Sequence, residues 1–437
     1  MHRYVYVLLA ALTAAWISSQ PLSALITPGA ERPWAFYVAL LHGSGYLSAT
    51  LMSVAMLLAL RGPRLEALVG GLDQLYRVHR QVALLAIGLG ATHYALKLAS
   101  KALRRSGLLD KPEDAKSLAL QIFESWRPIA KDFGEWGLYV ALALVAVALL
   151  RRIPYRYFAR LHRLMPILFL LFVVHSVVFM PAPFWTAIAG PLAALLMLGG
   201  TVAAILSLSG WLGARRRTLG EVSEVHPIGL GVLEVHARLR DWKGHQSGQF
   251  ALVTFDPREG AHPFTIASAW QGDGQLRFGI KSLGDYTRTL PSRLRAGDPL
   301  IVEGPYGRFD FVAEQARQIW IAGGIGLTPF VARLEALAVA GGQHPPIDLF
   351  YCTRQVDADI VARLTAGAAA AGVCLHVIDS SRGDSLSVER LLAEVPAWAE
   401  ASIWFCGPTA FGLAMRAGLT SRGLAPGAFH QEAFEFR

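Results

Sequence analysis

The chain has 437 residues, 53% of them apolar and 17% charged, with 41 Lys plus Arg against 32 Asp plus Glu, and a mean hydropathy of +0.39. These values exclude a disordered chain, a collagen and a small disulfide scaffold, and they are too apolar for an ordinary soluble protein of this length. The charge is uneven: residues 1–213 hold 19 basic and 9 acidic side chains and the remainder 22 and 23, so the basic surplus flanks apolar runs, which argues for a lipid bilayer and against nucleic acid as the partner.

Apolar runs long enough to cross a bilayer, about 20 residues each, are predicted near 4–26, 35–60, 77–98, 134–151, 157–180 and 184–209. The first follows Met1, His2 and Arg3 and precedes Ser23 and Ala24, which also suits a signal peptide, although the run is long for one. Six crossings return the chain to its starting side. Arg61, Arg64, Arg77 and Arg80 lie between the second and third runs, Arg151, Arg152, Arg156, Arg160 and Arg163 between the fourth and fifth, and Arg215, Arg216 and Arg217 after the sixth. The positive-inside rule places these in the cytoplasm. The outer connection, about 99–133, carries both signs, including Lys101, Arg104, Arg105, Asp110, Glu113 and Asp114. The expectation is a multi-pass protein of the cell (inner) membrane with both termini cytoplasmic.

Ionisable side chains within a span are rare and usually functional. The third run carries His79 and His93 and the fifth His162 and His175. At 1.5 Å per residue these pairs are about 21 Å and about 20 Å apart along their helices, and both spans run outward, so His79 is level with His162 and His93 with His175. Two facing imidazoles ligate one haem iron from both sides, so two tiers imply two haems. The phase suits the third span. In the fifth, thirteen residues of ideal helix leave His175 about 140° from the azimuth of His162, so a kink or π-bulge is required, and Pro166 lies between them. His42, in the second span, is predicted to lack a partner at its depth.

From Leu219 the texture changes to short alternating runs (222–225, 232–239, 250–255), read as a small antiparallel β-barrel. From Ile319, apolar strands (319–322, 347–351, 375–378, 402–406) alternate with helical segments, the pattern of a parallel α/β sheet. Three cysteines, Cys352, Cys374 and Cys406, lie in this half, none at zinc-ligand spacing, which reads as a reducing compartment without disulfides. The predicted organisation is a membrane bundle over 1–213, a barrel over 214–314 and an α/β domain over 315–437.

His262-Pro263-Phe264-Thr265-Ile266-Ala267-Ser268 sets an imidazole, an aromatic ring and a hydroxyl within four residues, suited to the pyrophosphate, face and nitrogen edge of a flavin. Gly284-Asp285-Tyr286-Thr287 supplies a turn whose donors and hydroxyl hold phosphate, and Lys281 is placed with the cofactor-binding set. Gly323, Gly324 and Gly326 in Ala322-Gly323-Gly324-Ile325-Gly326-Leu327-Thr328-Pro329 follow a strand and open a helix, where a dinucleotide pyrophosphate is bound. Cys406-Gly407-Pro408 closes the last strand at the ligand edge of an open sheet. Arg354, Ser380 and Arg382 end the second and third strands, where guanidinium forks suit a 2′-phosphate.

Together these residues resemble the flavocytochrome superfamily of NADPH oxidases and transmembrane ferric reductases, over nearly the whole chain. The histidine spacing resembles the family's bis-haem pattern, His262-Pro263-Phe264-Thr265 its flavin motif, Gly324-Ile325-Gly326-Leu327-Thr328-Pro329 its nicotinamide pyrophosphate motif, and Cys406-Gly407-Pro408 its nicotinamide-side motif. The second half is similar to ferredoxin-NADP reductases, with His262 where those usually have arginine. Glu432-Ala433-Phe434 resembles the terminal acidic-x-Phe of the oxidases, so Phe434 is expected to cover the flavin ring, with Phe436 as the alternative. The resemblance implies FAD, two b-type haems and NADPH or NADH, with Thr265, Cys406 and Phe434 nearest the hydride transfer. It also implies electron export to a ferric chelate or to oxygen, with the chelate slightly ahead. Lys97, Lys101, Arg104, Arg105, Lys111, Lys116, Arg127 and Lys131 are expected to attract an anionic chelate. A membrane-anchored flavin reductase serving a cytoplasmic partner stands as the alternative.

Overall fold

A computed structural model describes residues 3–20, 32–109, 121–150, 152–229, 231–341, 343–425 and 427–432. It divides into two compact units, one holding the helices up to Leu212 apart from residues 70–73, the other the chain from Gly213.

The first unit contains α1 (Arg3–Ser18), α2 (Arg32–Leu58), α3 (Leu72–Arg105), α4 (Arg127–Leu149), α5 (Tyr155–His162), α6 (Met165–Phe179) and α7 (Ala189–Leu208). Among the described residues five stretches are long and apolar enough to cross a membrane, with α5 and α6 forming one of them; α1, at 16 residues, is shorter than that. It nevertheless packs in the bundle, where Trp16 stacks on Phe184 with ring centroids 4.5 Å apart. The two faces of α7 show why such a helix sits in lipid. Ala193, Met197, Gly200 and Ala204 are buried, whereas Leu195, Leu198, Val202 and Ile205 are exposed large apolar side chains. Small residues on the inner face allow close helix approach: a Cβ on Gly200 would stand 2.6 Å from Phe169 Cζ.

The fifth span is broken where the histidine phase demands it. α5 ends at His162, Arg163 and Leu164 intervene, and α6 restarts at Met165 with Pro166 in its first turn, the place where a missing N–H costs no helix bond.

In the second unit, β1 (Arg217–Pro227), β2 (Val232–Leu239), β3 (Phe250–Thr254), β4 (His262–Thr265), β5 (Gln275–Lys281) and β6 (Pro299–Tyr306) form an antiparallel sheet of order β4-β3-β6-β1-β2-β5. The two edges meet through the Ile266↔Phe278 bridge and the Ala267 N–H to Arg277 carbonyl bond of 2.6 Å, which closes the sheet around a core that includes Val235, Val253, Phe278 and Val302. α8 (Asp285–Arg293) follows β5. The second sheet, β7 (Arg317–Gly323), β8 (Ile347–Thr353), β9 (Cys374–Asp379), β10 (Ala401–Cys406) and β11 (Phe429–Gln431), is parallel, in order β11-β10-β7-β8-β9. Strands β7 and β10 are buried along nearly their whole length, as continuous apolar runs between two helical layers must be. Helices α9 (Thr328–Ala340), α10 (Ala358–Ala371), α11 (Val388–Glu394) and α12 (Thr409–Thr420) supply those layers.

Candidate functional site

In the membrane unit the four histidines form two pairs. His79 faces His162 and His93 faces His175, each with ring centroids 6.3 Å apart and planes inclined at 76° and 85°. Two imidazoles on one iron, each with its nitrogen about 2.0 Å from the metal, bring the ring centroids to about 6.4 Å, so both spacings fit an iron between the rings. The remaining ring nitrogens are spoken for. His79 Nδ1 lies 2.9 Å from the Ala55 carbonyl, His93 Nδ1 2.8 Å from that of Leu41 and His175 Nδ1 2.8 Å from that of Ala130. A proton on each Nδ1 would donate to that carbonyl and leave Nε2 free to ligate, an arrangement that suits a metal-bound histidine. His162 Nδ1 is buried with no hydrogen-bond partner among the described residues.

Glycines make room for the rings. A Cβ on Gly45 would lie 3.1 Å from His93 Nδ1, and one on Gly134 would collide with His175. The second pair opens on a cavity of about 120 Å³ whose lining includes His42, Gly90 and Phe172. The expectation that His42 stands apart is therefore corrected: it shares the cavity of His93 and His175. Tyr94, Lys97, Lys131 and Glu135 also line it. Tyr94 Oη donates to Glu135 Oε1 at 2.9 Å and lies 2.6 Å from Tyr139 Oη, while Lys97 Nζ is 3.3 Å from Glu135 Oε2. Lys97 is thus charge-paired, which lessens its part in attracting an anion. Glu135 and the two tyrosines carry no sequence spacing that marks them. Asp110, Lys111, Glu113, Asp114, Lys116 and Arg151 lie outside the described residues.

In the second unit, β4 carries the predicted flavin segment along β3, with Phe250 opposite Thr265 and Leu252 opposite Pro263. The His262 ring stacks on Tyr286 at 4.7 Å and lies 6.4 Å from Phe264. Burial pushes its imidazole down to about 4. Thr265 is 7% exposed. Beside Phe264, this donor set fits the polar edge and face of a flavin ring. Two other hydroxyls are already used. Ser268 Oγ accepts the Arg277 N–H at 3.1 Å, and Thr287 Oγ1 accepts the N–H groups of Leu283 at 3.1 Å and Gly284 at 3.0 Å, capping α8. These bonds help to close the barrel and the turn.

At the carboxyl edge of the parallel sheet, the loops after β7 and β10 lie side by side because Cys406 pairs with Ala322 in register. Gly324 takes φ +57, whereas Gly323 and Gly326 serve the packing of the two loops. A Cβ on Gly323 would stand 2.7 Å from Pro408 Cδ and 3.1 Å from Gly407 Cα, and one on Gly326 would collide with the Cys406 carbonyl. Pro329 stands in the first turn of α9, and Thr328 Oγ1 donates to the Ile325 carbonyl at 2.7 Å. Lys281 Nζ is 3.9 Å from the position of a Gly324 Cβ, bringing an ammonium to the glycine turn, as anion binding at a helix start calls for. Cys406 is fully buried, and burial followed by the nearby Glu432 carboxyl holds its thiol well above the usual range. It contributes bulk as a neutral thiol. Arg354 is exposed, Ser380 Oγ donates to the Thr353 carbonyl at 3.0 Å, and Arg382, 85% exposed, lies 3.4 Å from Asp379. Of the three, Arg354 is the one placed to take a 2′-phosphate without first leaving a protein partner among the described residues. Phe434 and Phe436 lie outside the described residues.

Comparison with known proteins agrees with this division. Residues 44–173 match the family described as ferric reductase like transmembrane component, and residues 222–310 match a FAD-binding domain family. The toluate 1,2-dioxygenase electron transfer component of Pseudomonas putida is 30% identical over 195 residues, 43% of this chain and 58% of that one. The carnitine monooxygenase reductase subunit of Escherichia coli (strain K12) is 31% identical over 151 residues, 34% of this chain and 44% of that one. The chain thus spans about half the length of the curated relatives it matches. The crystal structure of flavohemoglobin from Malassezia yamatoensis with bound FAD and heme superposes with a TM-score of 0.50 at 16% identity, covering 95% of this chain and 98% of that one, a likeness of fold alone.

Proposed function

From the premise that the chain belongs to the superfamily of flavocytochromes b and transmembrane ferric reductases, we propose that it is an NAD(P)H-dependent transmembrane oxidoreductase that exports electrons to an extracytoplasmic acceptor. Its reductase unit and both termini face the cytoplasm of a cell (inner) membrane. The observation that carries this reading is the pair of histidine tiers at 6.3 Å with three of the four Nδ1 atoms anchored on carbonyls.

His79 with His162 and His93 with His175 would hold two haems, and Phe264 and Thr265 the flavin ring. Bound, these groups would supply the link between a hydride and single electrons. The chain's own part is placement. Lys281 and the turn at Gly324 orient the dinucleotide, Cys406 sets the floor of the crevice as a neutral thiol, and the Thr265 hydroxyl holds the flavin's polar edge. The cavity beside His93 and His175 admits a small acceptor.

Ferric chelate is slightly favoured over oxygen because Lys131 lines that cavity and a positive field draws an anionic chelate. The test uses vesicles with NADPH at the cytoplasmic face and a membrane-impermeant ferric chelate on the other, with oxygen removed. Chelate reduction that slows as salt screens charges beyond about 10 Å at 0.1 M supports the ferric reading. Reduction no faster than without enzyme, together with superoxide formation in air, assigns the acceptor as oxygen. Failure of both, with NADPH still reducing soluble dyes, leaves a membrane-anchored flavin reductase.

A further inference from the structure

At the amino-terminal edge of the parallel sheet, opposite the nucleotide crevice, three ligand-type atoms converge. Asp348 on β8 is the register partner of Cys374 on β9, and His376 lies two residues on along the same face of β9. Cys374 Sγ is 3.4 Å from His376 Nε2, which is 3.2 Å from Asp348 Oδ1. With the zinc distances of about 2.3 Å to sulfur and about 2.05 Å to nitrogen or oxygen, a tetrahedral ion sets S···N at about 3.6 Å and N···O at about 3.4 Å. The three atoms stand within about 0.2 Å of those edges.

The surroundings orient each ligand. His376 Nδ1 is 2.8 Å from Glu394 Oε2 on α11, the carboxylate-histidine arrangement that fixes a metal-bound imidazole with Nε2 turned to the ion. Arg317 Nη1 takes the other Asp348 oxygen, Oδ2, at 2.5 Å, leaving Oδ1 for the cluster. Phe350 stacks on His376 at 4.3 Å and 9° and fixes the ring plane. Nδ1 faces Glu394, so Nε2 is the ring atom turned to Asp348 Oδ1 and Cys374 Sγ, the position a bound cation would share. Cys374 is the exposed cysteine of the three, so a fourth position faces solvent.

We propose that Asp348, Cys374 and His376 form a binding site for a zinc-type divalent cation that ties β8, β9 and α11 together at the edge of the sheet away from the nucleotide. A borderline-soft ion matches a mixed S, N, O donor set. Binding releases the Cys374 thiol proton to solvent, so affinity falls as pH falls. The sequence hides the site because its ligands meet through strand register, in no zinc-finger spacing.

The exposed group Glu224, His226 and His236 also gathers three ligand atoms, so total metal content does not identify the site and a residue-resolved readout is needed. Full-length purified protein is alkylated with iodoacetamide with and without Zn²⁺, and modification of Cys374 is followed by peptide mass spectrometry. Zinc is expected to slow Cys374 alkylation in the wild type and to have no effect in His376→Ala. In Glu394→Gln, which leaves all three ligands in place, half-protection should need about 10- to 100-fold more zinc. FAD content and NADPH-driven dye reduction check that each variant is folded. Equal alkylation with and without zinc in the wild type, or protection kept in folded His376→Ala, overturns the site; the cluster is then an imidazolium bridging two carboxylates.

Discussion

A single methyl group separates a glycine from a blocked ligand in the second histidine pair. Gly134→Ala places a Cβ in collision with His175 Nδ1, whereas at Gly45 the nearest atom of His93 is 3.1 Å away and at Gly88 nothing lies within 4 Å. Haem content per chain should therefore fall by about half in Gly134→Ala, less in Gly45→Ala and not in Gly88→Ala, with FAD content unchanged in all three; full haem in Gly134→Ala would show that His175 is not a ligand. In the barrel, Phe264 is partly buried against the core on the strand that carries Thr265. Aromatic stacking contributes about 0.5–1.5 kcal/mol beyond burial, or about 2- to 12-fold in affinity, so Phe264→Ala should lose FAD by that factor on dilution, measured by flavin fluorescence. Histidines are legible from sequence because an ionisable group within an apolar run stands out. The carbonyls of Leu41, Ala55 and Ala130 that aim three of them are not, since every residue carries one and only the packing of α2 and α4 selects these.

Helix α3 delivers His79 and His93 to one face by its period alone, but α5 and α6 need the interruption at Arg163 and Leu164 to do so. Pro166 and the phase discrepancy between His162 and His175 announce this irregularity in the sequence itself. The hydroxyls depend on context in a similar way. Thr287 accepts the Gly284 N–H within its own turn, whereas Ser268 accepts the Arg277 N–H nine residues on across the barrel. The glycines after β7 follow the same logic, for two of them are required by the adjoining β10 loop, a contact between residues some eighty positions apart that no local motif encodes. At the ends of β8 and β9, Arg382 lies near Asp379 and Arg354 is exposed, so the proposed preference for NADPH is tested at Arg354. Arg354→Ala should lower kcat/KM for NADPH about 10-fold and leave that for NADH within about twofold; equal loss with both cofactors would remove the 2′-phosphate contact.

Across the molecule, an apolar basic half and a charge-balanced half divide the work: one supplies a low-dielectric bundle in which imidazoles are aimed in pairs, the other two sheets whose edges take flavin and dinucleotide. The chain order and both sheet types follow from composition and periodicity. The cavity beside His93 and His175, and the metal-ligand cluster on β8 and β9, arise only from tertiary packing. Whether the four histidines hold two haems is read from haem stoichiometry and the reduced-minus-oxidised spectrum of purified wild type beside single His→Ala variants. Two haems per chain in the wild type are expected, with one left in each of His79→Ala, His93→Ala, His162→Ala and His175→Ala, and partners within a tier losing the same spectral component. Full FAD with no haem in the wild type, or two haems retained in any of the variants, would contradict the two-haem reading.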